Sequence, residues 1–440
     1  MSIIILIGLS LSAAQPNMRD QPTAEPIQLS LDEAVEIGTE RSFRIQRGDR
    51  NERMSAERLR STKGLAGPRL DVGIGANQSQ RYYDFKGNFD YNIGEPSFLA
   101  DANAFASYDL DISGVQKRMV RQARLSRELS KMELNQATLD VSTDIRTNYV
   151  SALRAQRQVK ADAEYVSLIG QLIERAGASQ PAVVPFLESE RLNAVQTLEG
   201  SRTNADLTLS NLRQILRLPR EQALELTTEL ANPEPLPGID RLLKLAVENR
   251  NDLKQSQIRL QQARIAKVQA TDSRKPSLRA SAFASQSYNG DTFTLRGDNH
   301  GRTRNATAVL TVAMPLFQYD GGSLAANRNI ANIQAEQALA DAEEAEERAE
   351  TEINQVMIGL NSAEERLKRL PDVGQARQSL AQAEAQLLSA PANVAPALLA
   401  QVTNARQNWR SSVISRSDAL TDYYGNYFRL QRSVGTEAVR

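Results

Sequence analysis

Few side chains in this sequence could support catalysis. The chain of 440 residues has no cysteine, one histidine, His300, and one tryptophan, Trp409, so neither a disulfide framework nor a thiolate metal site can form. His300 lies in a turn-like stretch, 297–301, where we expect a solvent-exposed side chain. Gly73 and Gly75 lie within a strand pattern and do not open a helix, which a phosphate-binding loop requires. We therefore expect no enzyme activity, no metal and no cofactor, and we interpret Trp409 as a packing residue.

The charge composition gives no sign of a nucleic-acid partner. Lys and Arg together number 53, and Asp and Glu together also number 53. A protein with balanced charge lacks the positive field that attracts nucleic acid or an anionic surface.

The N-terminus has the pattern of a secretory signal peptide. Its apolar run is about half the length that spans a bilayer. Small residues, Ser12 and Ala14, end the run at the −3 and −1 positions of a cleavage site, although no basic residue precedes it. We interpret 1–14 as a signal peptide and 15–28 as an N-terminal spacer. Because no other segment resembles a transmembrane helix, entry into a membrane would require strands.

After residue 28, the predicted helices and strands occur twice in the same order. The first repeat, 29–231, is predicted to contain a helix over 29–62, strands at about 69–78 and 103–112, and a helical hairpin over 115–218. A Pro-rich linker at 232–238 precedes the second repeat, 239–435, with a helix, strands at about 278–287 and 305–314, and a hairpin over 323–435. Matching features are separated by about 210 residues, which indicates a duplication.

The hairpin helices have coiled-coil-like spacing. Apolar residues such as Val141, Ile145 and Ala152 recur three, four or seven positions apart. At 1.5 Å per residue, the helix that follows Gly114 would be roughly 90 Å long. Pro371 predicts a kink or short break in the second half only, because its counterpart, Lys160, lies in an uninterrupted helical pattern.

An abrupt change from strand to helix follows each pair of strands. Proline cannot continue a strand ladder, and glycine allows the backbone to change direction. The residues that we assign to these strand-to-helix switches are Gly114 in the first repeat and Pro315, Phe317, Gly321 and Gly322 in the second.

Four strands of about ten residues match the length of tilted strands that cross an outer membrane. Each strand alternates apolar residues with small or polar ones, as expected between lipid and water. Four strands cannot close a barrel, and open edges are not tolerated in hydrocarbon. Two, three or four copies of the chain would give eight, twelve or sixteen strands. A soluble sandwich of short strands is the alternative.

The order of these features resembles the TolC-type outer-membrane efflux proteins. The resemblance rests on the duplication, on Tyr108–Gly114 and on Pro315–Phe317 followed by Gly321 and Gly322, and it covers about residues 29–435. It implies a membrane α+β fold with four transmembrane β-strands per chain. A homotrimer would share a 12-stranded β-barrel in the outer-membrane lipid of a Gram-negative bacterium, continued by a long periplasmic α-helical coiled-coil barrel. It also implies a passive efflux or secretion channel whose partners are a periplasmic adaptor protein and an inner-membrane transporter.

The hairpin tips depart from this family's pattern. Family members typically carry aspartate at the positions that Pro185 and Pro396 occupy here. We take the candidate residues of the periplasmic aperture and tips to be Gly177, Pro185, Glu188, Pro396 and Leu399. Either the prolines only begin the returning helices, or the tips form an apolar constriction that is gated by packing and dewetting.

An exported coiled-coil adaptor or structural periplasmic protein is the alternative function. Adaptors usually carry one helical hairpin, whereas this sequence predicts two, each with its own pair of strands. The cargo class, whether drugs, metal ions or proteins, stays open.

Overall fold

The computed structural model describes residues 27–79, 82–83, 92–93, 97–219, 222–233, 235–290, 301–314, 321–391 and 395–437. The predicted signal peptide, nearly all of the spacer, and His300 lie outside the described residues.

The elements run in the following order along the chain. The first half contains β1 (Ile27–Leu29), α1 (Leu31–Arg41), α2 (Phe43–Leu65), β2 (Arg69–Ser79), β3 (Tyr82–Tyr83), β4 (Asn92–Ile93), β5 (Ser97–Leu110), α3 (Val115–Ser179) and α4 (Val184–Leu216). The second half contains β6 (Leu224–Leu226), α5 (Ile239–Asn249), α6 (Asn251–Gln269), β7 (Ser277–Gly290), β8 (Gly301–Ala313), α7 (Ser323–Arg369), α8 (Val373–Ser389) and α9 (Ala395–Val434).

The prediction of one helix over 29–62 is wrong. The segment contains β1 and two helices, because Ser42 adopts an extended conformation (φ −68°, ψ 120°) between α1 and α2. A capping box at Ser30 and Glu33 begins α1, and it satisfies amide groups that have no partner inside the helix. Arg250 makes the same extended break (φ −60°, ψ 122°) between α5 and α6. The two breaks are separated by the repeat distance of about 210 residues.

Strands from both halves form one antiparallel sheet, in the order β2-β5-β7-β8. The register places Leu70 opposite Ala106, Ala106 opposite Ala282, and Ala282 opposite Ala308. Two strands, β5 and β8, begin clearly earlier than predicted. Strand β5 begins at Ser97 and ends at Leu110, since Asp111 turns away to cap α3. Strand β8 begins at Gly301 because its first residues pair with β7 as far as Asn289.

The register separates the side chains of this sheet onto two faces. The apolar face includes Leu70, Val72 and Ile74 on β2 and the alanines that lie in register with them on the other strands. The polar face carries Arg69, Asp71, Asp101, Asp109 and Arg279. Side chains of a strand alternate between faces, so this separation follows directly from the period of the sequence.

The chain divides into two compact units. Unit 1 consists of the described residues of Met1–Ser42, Ser142–Pro235 and Gly359–Phe428, and unit 2 of those of Phe43–Val141, Leu236–Ile358 and Arg429–Arg440. Unit 2 contains the four-stranded sheet. In unit 2, Leu125 of α3 packs with Ile258 and Ile265 of α6.

Unit 1 has a hydrophobic cluster to which four helices contribute. Its buried members come from α3, α4, α8 and α9 and include Leu172, Leu187, Leu387, Val402 and Trp409. Trp409 is 3% exposed, which confirms its interpretation as a packing residue.

The predicted break at Pro371 is present. Helix α7 ends at Arg369 and α8 begins at Val373, where the Asp372 side chain accepts a hydrogen bond from the Gly374 amide at 3.0 Å. Lys160 lies within the uninterrupted α3. Proline lacks the amide that the helix would use and clashes with the preceding turn, so the interruption follows from the residue type.

None of the helices in the described part of the chain has the length and hydropathy that a membrane-crossing helix needs.

Candidate functional site

The first strand-to-helix switch is a tight turn held by a carboxylate. Gly114 has a φ of +69°, a conformation that a residue with a Cβ rarely adopts. The Asp111 carboxylate accepts hydrogen bonds from the amides of Gln116 (3.1 Å) and Lys117 (2.9 Å). These amides have no partner within α3, and a negative charge is favoured at a helix N-terminus. Asp111 therefore joins the end of β5 to the start of α3.

Ion pairs connect this switch to the loop that leads into β7. Arg118 binds Asp272 through two contacts, Nη2–Oδ1 at 2.6 Å and Nε–Oδ2 at 3.2 Å, and it donates to the Ser113 carbonyl at 3.0 Å. Lys275 lies 2.7 Å from the same carboxylate. Bidentate arginine–carboxylate pairs fix orientation as well as distance. The switch of the first repeat is thereby tied to the strand entry of the second.

A cleft of about 690 Å³ lies beside these pairs in unit 2. Its lining includes Arg69, Asp109, Asp111 and Arg279, and Arg279 pairs with Asp109 at 2.6 Å across β5 and β7. Within the described residues, no group of three or more histidines, cysteines or carboxylates could hold a metal ion.

The second switch is described only in part. Gly321 and Gly322 have φ values of +58° and +87°, so both adopt the backbone conformation for which glycine is suited. The Gly322 carbonyl accepts a hydrogen bond from the Ala326 amide in the first turn of α7, at 3.0 Å. Pro315 and Phe317 lie outside the described residues.

The first hairpin tip begins later than the sequence suggested. Gly177 lies inside α3, which continues to Ser179, and a 3-10 turn over Pro181–Val183 leads into α4. Pro185 occupies the first turn of α4, where proline costs little because its missing amide would have no partner. Glu188 is exposed. Gln180 is buried, and its side-chain amide donates to the Ala390 carbonyl of the second hairpin.

In the second hairpin tip, one residue that we predicted to line the aperture is buried. Leu399 is 6% exposed and belongs to the large cluster of unit 1. A side chain that packs against its own chain cannot form an aperture ring, so we remove Leu399 from that group. Pro396 is the second residue of α9.

A buried ion network lies in unit 1 beside the hydrophobic cluster. The Arg406 side chain is fully buried; it contacts Glu190 at 3.1 Å and Glu384 at 3.7 Å. The Tyr165 hydroxyl donates to Glu190 at 2.9 Å. Burial, together with the negative charge of Glu190, raises the pKa of Tyr165 to about 12. The network joins α3 and α4 of the first hairpin to α8 and α9 of the second.

A second buried acid strengthens the same connection. Asp162 is 1% exposed; it accepts from Ser201 of α4 and from Arg410 of α9, both at 2.5 Å. Buried charges are costly unless they are paired. The positions of Asp162 and Glu190 therefore depend on cations from the other hairpin.

Sequence reasoning missed both the ion pair at the switch and this network. One signal was available for Arg406. It lies at a seam position of α9, in the series Leu399, Val402, Arg406, Trp409 and Val413, with spacings of three and four. A charged residue at such a position implies a buried partner. No local pattern marks Asp272 as the partner of Arg118.

Comparison with known proteins identifies a domain in the second half. The family model of the outer membrane efflux proteins matches residues 242–370. A comparison with curated protein sequences finds no match.

Solved structures share the fold over nearly the whole chain. The outer membrane protein VceC from Vibrio cholerae superposes with a TM-score of 0.70 at 16% identity, over 92% of this chain and 96% of VceC. The outer-membrane channel OprN superposes with a TM-score of 0.70 at 18% identity, over 93% of this chain and 91% of OprN. The CmeC outer membrane channel of Campylobacter jejuni superposes with a TM-score of 0.69 at 14% identity, over 92% of this chain and 85% of CmeC. The resemblance inferred from the sequence is confirmed: the chain carries an outer membrane efflux protein domain and has the TolC-type fold.

Proposed function

We propose that this chain forms the outer-membrane channel of a tripartite efflux or secretion system and conducts substrates passively out of the periplasm. One observation carries the proposal. A sheet of strands from both repeats has an apolar face, and it passes through a tight switch at Gly114 directly into the long helix α3. An apolar outer face and a polar inner face are what a barrel wall in a membrane requires.

The edges of this sheet support a shared barrel. Strands β2 and β8 are the edge strands, with 11 and 13 residues. Their unpaired backbone groups need partners in hydrocarbon, and a second copy of the chain can provide them. Three copies give the 12-stranded barrel that the resemblance implies, in the outer membrane of a Gram-negative bacterium.

The partners follow from the same function. The helical hairpins would extend into the periplasm and dock onto an adaptor protein, which connects them to an inner-membrane transporter. The alternative, a coiled-coil adaptor, is less well supported, because the outer-membrane channels OprN and CmeC superpose on more than nine-tenths of this chain. The balanced charge gives no support for a nucleic-acid partner.

The hairpin tips are proposed as the periplasmic entrance. Gly177, Pro185 and Glu188 support this, since all three are exposed at the end of the first hairpin; we assign Pro396 of the second hairpin to the same entrance. With proline where family members carry aspartate, we infer an apolar constriction. Strong block of single-channel current by divalent cations from the periplasmic side would contradict an apolar ring.

Three measurements test the channel itself. The purified protein should form a trimer and give stable conductance steps in a planar bilayer, and it should remain in the outer-membrane fraction after washing with high salt. An adaptor would be released by salt and would not conduct. Sequencing of the mature N-terminus tests export, and we expect it to begin at Gln15.

A further inference from the structure

The apolar face of the sheet has two charged side chains among the described strand positions. On β2, β5 and β7 every described residue of this face is uncharged, from Leu70 to Gln78, from Phe98 to Leu110 and from Leu278 to Tyr288. On β8 the face has four apolar residues, Ala306 to Val312, and then Arg304 and Arg302. The polar face, by contrast, carries charged residues on three of its strands. The two arginines are therefore an exception that requires an explanation.

Their position along the strand is that of a membrane boundary. Arg302 lies opposite Tyr288, at the end of the sheet farthest from the helices, and Val312 lies opposite Leu278 at the helical end. The ten residue-to-residue steps from Arg302 to Val312 span roughly 33 Å along the strand. With a strand tilt of about 40°, this corresponds to about 25 Å along the membrane normal, the height of the apolar band of an outer-membrane barrel. Arg302 thus reaches the outer edge of the hydrocarbon, and Arg304 lies just inside it.

Within the part of the chain that the structure describes, no carboxylate neutralises the two guanidinium groups. Both side chains are exposed, and neither makes an ion pair or a side-chain hydrogen bond with the described residues. Their neighbours across β7 on this face are Tyr288 and Gln286. A second copy that pairs its β2 with β8 would bring residues 70, 72, 74, 76 and 78 onto this face, and none of them is acidic.

We propose that Arg302 and Arg304 bind a phosphate group of a phosphorylated lipid in the outer leaflet, a proposal that rests on the outer-membrane function given above. Arginine presents a planar set of donors that matches a phosphate. A long arginine side chain at this depth extends toward the interface and keeps its charge in the polar layer. The i, i+2 spacing on one face directs both guanidinium groups toward the same lipid headgroup. The site also anchors the barrel at a fixed depth.

Native mass spectrometry of the purified full-length protein in a non-ionic detergent tests this site. The probes are a glucosamine lipid with two phosphates and the same lipid after dephosphorylation. The wild-type protein should bind the phosphorylated form at least about tenfold more tightly, since charge-assisted contacts to phosphate are strong. The variant Arg302→Gln/Arg304→Gln should lose this preference, and Arg302→Lys/Arg304→Lys should keep part of it.

A charge-matched control uses Lys117 and Arg121. Both side chains are exposed, and both residues lie in helix α3 and not in the sheet. Lys117→Gln/Arg121→Gln removes the same charge and should retain the wild-type preference. Equal affinity of the wild-type protein for the two lipids, or an unchanged preference in the double Gln variant, would overturn the proposal. Displacement of the lipid by inorganic phosphate would indicate a site for free phosphate and would also overturn it.

Conductance of the same wild-type preparation separates this inference from the proposed function. A protein that conducts but does not distinguish the two lipids refutes only the lipid site. A protein that gives no conductance and is not retained in the outer membrane refutes the channel.

Discussion

Arg406 allows the energetic role of the buried network to be measured. The substitution Arg406→Met keeps most of the aliphatic stem but removes the only cation that contacts both Glu190 and Glu384 among the described residues. Both carboxylates have about a tenth of their side-chain area exposed. Removing one partner of a buried ion pair leaves an uncompensated charge, which typically costs about 3–5 kcal/mol. Arg406 also has Nε and Nη2 atoms without a hydrogen-bond partner among the described residues, so we expect the lower part of that range.

Trp409 provides the assay. It is the only tryptophan in the sequence and it is buried in the adjacent cluster, 5.0 Å from the Arg377 guanidinium. Its fluorescence in a denaturant titration therefore reports the unfolding of this part of unit 1. We expect Arg406→Met to lower the free energy of this transition by about 3 kcal/mol.

Two comparisons separate charge from packing. The triple variant Arg406→Met/Glu190→Gln/Glu384→Gln removes the uncompensated charges and should recover at least half of the loss, because neutral buried groups cost less than charged ones. Lys160→Met removes an exposed cation from the part of α3 that belongs to unit 1 and should change the transition by less than about 0.5 kcal/mol. A loss below about 1 kcal/mol for Arg406→Met, or no recovery in the triple variant, would refute an electrostatic origin.

Three further predictions concern other positions. Tyr165→Phe should destabilise unit 1 by about 1–2 kcal/mol at neutral pH, through the lost hydrogen bond to Glu190. Because the folded pKa of Tyr165 is raised to about 12, the wild-type stability that this group provides is complete below about pH 10 and declines as the pH rises toward 12. The stability gap between the two proteins should therefore narrow over that range, and a constant gap in Trp409 fluorescence titrations would contradict the shift. Asp111→Ala should destabilise the start of α3 by about 1 kcal/mol, and the amides of Gln116 and Lys117 should exchange hydrogen faster. Asp111→Asn should retain most of the protection from exchange. Equal exchange rates in Asp111→Ala and the wild type would exclude a capping role for Asp111. Gly435→Ala should lower the melting temperature, because Gly435 has a φ of +82° and an added Cβ would lie 2.8 Å from the Arg250 backbone. The matched control is Gly64→Ala, because Gly64 is exposed and a Cβ added there would meet nothing within 4 Å.

Acid stability of unit 2 depends on a different pair. Burial alone would raise the pKa of Asp252, but hydrogen bonds and charge from Arg250 outweigh it and hold that pKa below its usual value of 3.8. A carboxylate with a lowered folded pKa contributes stability above its unfolded pKa and loses it as the pH falls through the folded value. Asp252→Asn should therefore remove part of the stability loss below about pH 4. An unchanged acid transition in this variant would show that the pair does not contribute.

Much of the strand architecture followed from local patterns. Alternation with a period of two placed Leu70, Val72 and Leu310 on the apolar face, and the register confirms that they share one face. Gly114 marked the first switch because only glycine readily adopts its φ of +69°. Pro371 predicted its own helix break. These features depend on residues that are neighbours in the chain, so the residue types are sufficient to predict them.

Element boundaries were less predictable where a distant partner decides them. The break at Ser42 has no proline or glycine to mark it. The strand β8 begins before Asn305 because β7 provides a partner for Arg302 and Arg304. The same pairing placed two charges on an apolar face, which the sequence pattern alone had left outside the strand.

By itself, the sequence determined the duplication, the two faces of each strand and the order of strands, switches and long helices, since period, proline and glycine act over a few residues. Only the tertiary structure decided that β5 of the first repeat pairs with β7 of the second. It alone also decided that Leu399 packs inward and that Glu190 and Glu384 share Arg406. The physical reason is that burial and charge compensation depend on atoms that are distant in the chain, such as Glu190 and Arg406, which are 216 residues apart, and no local pattern encodes which of them will meet.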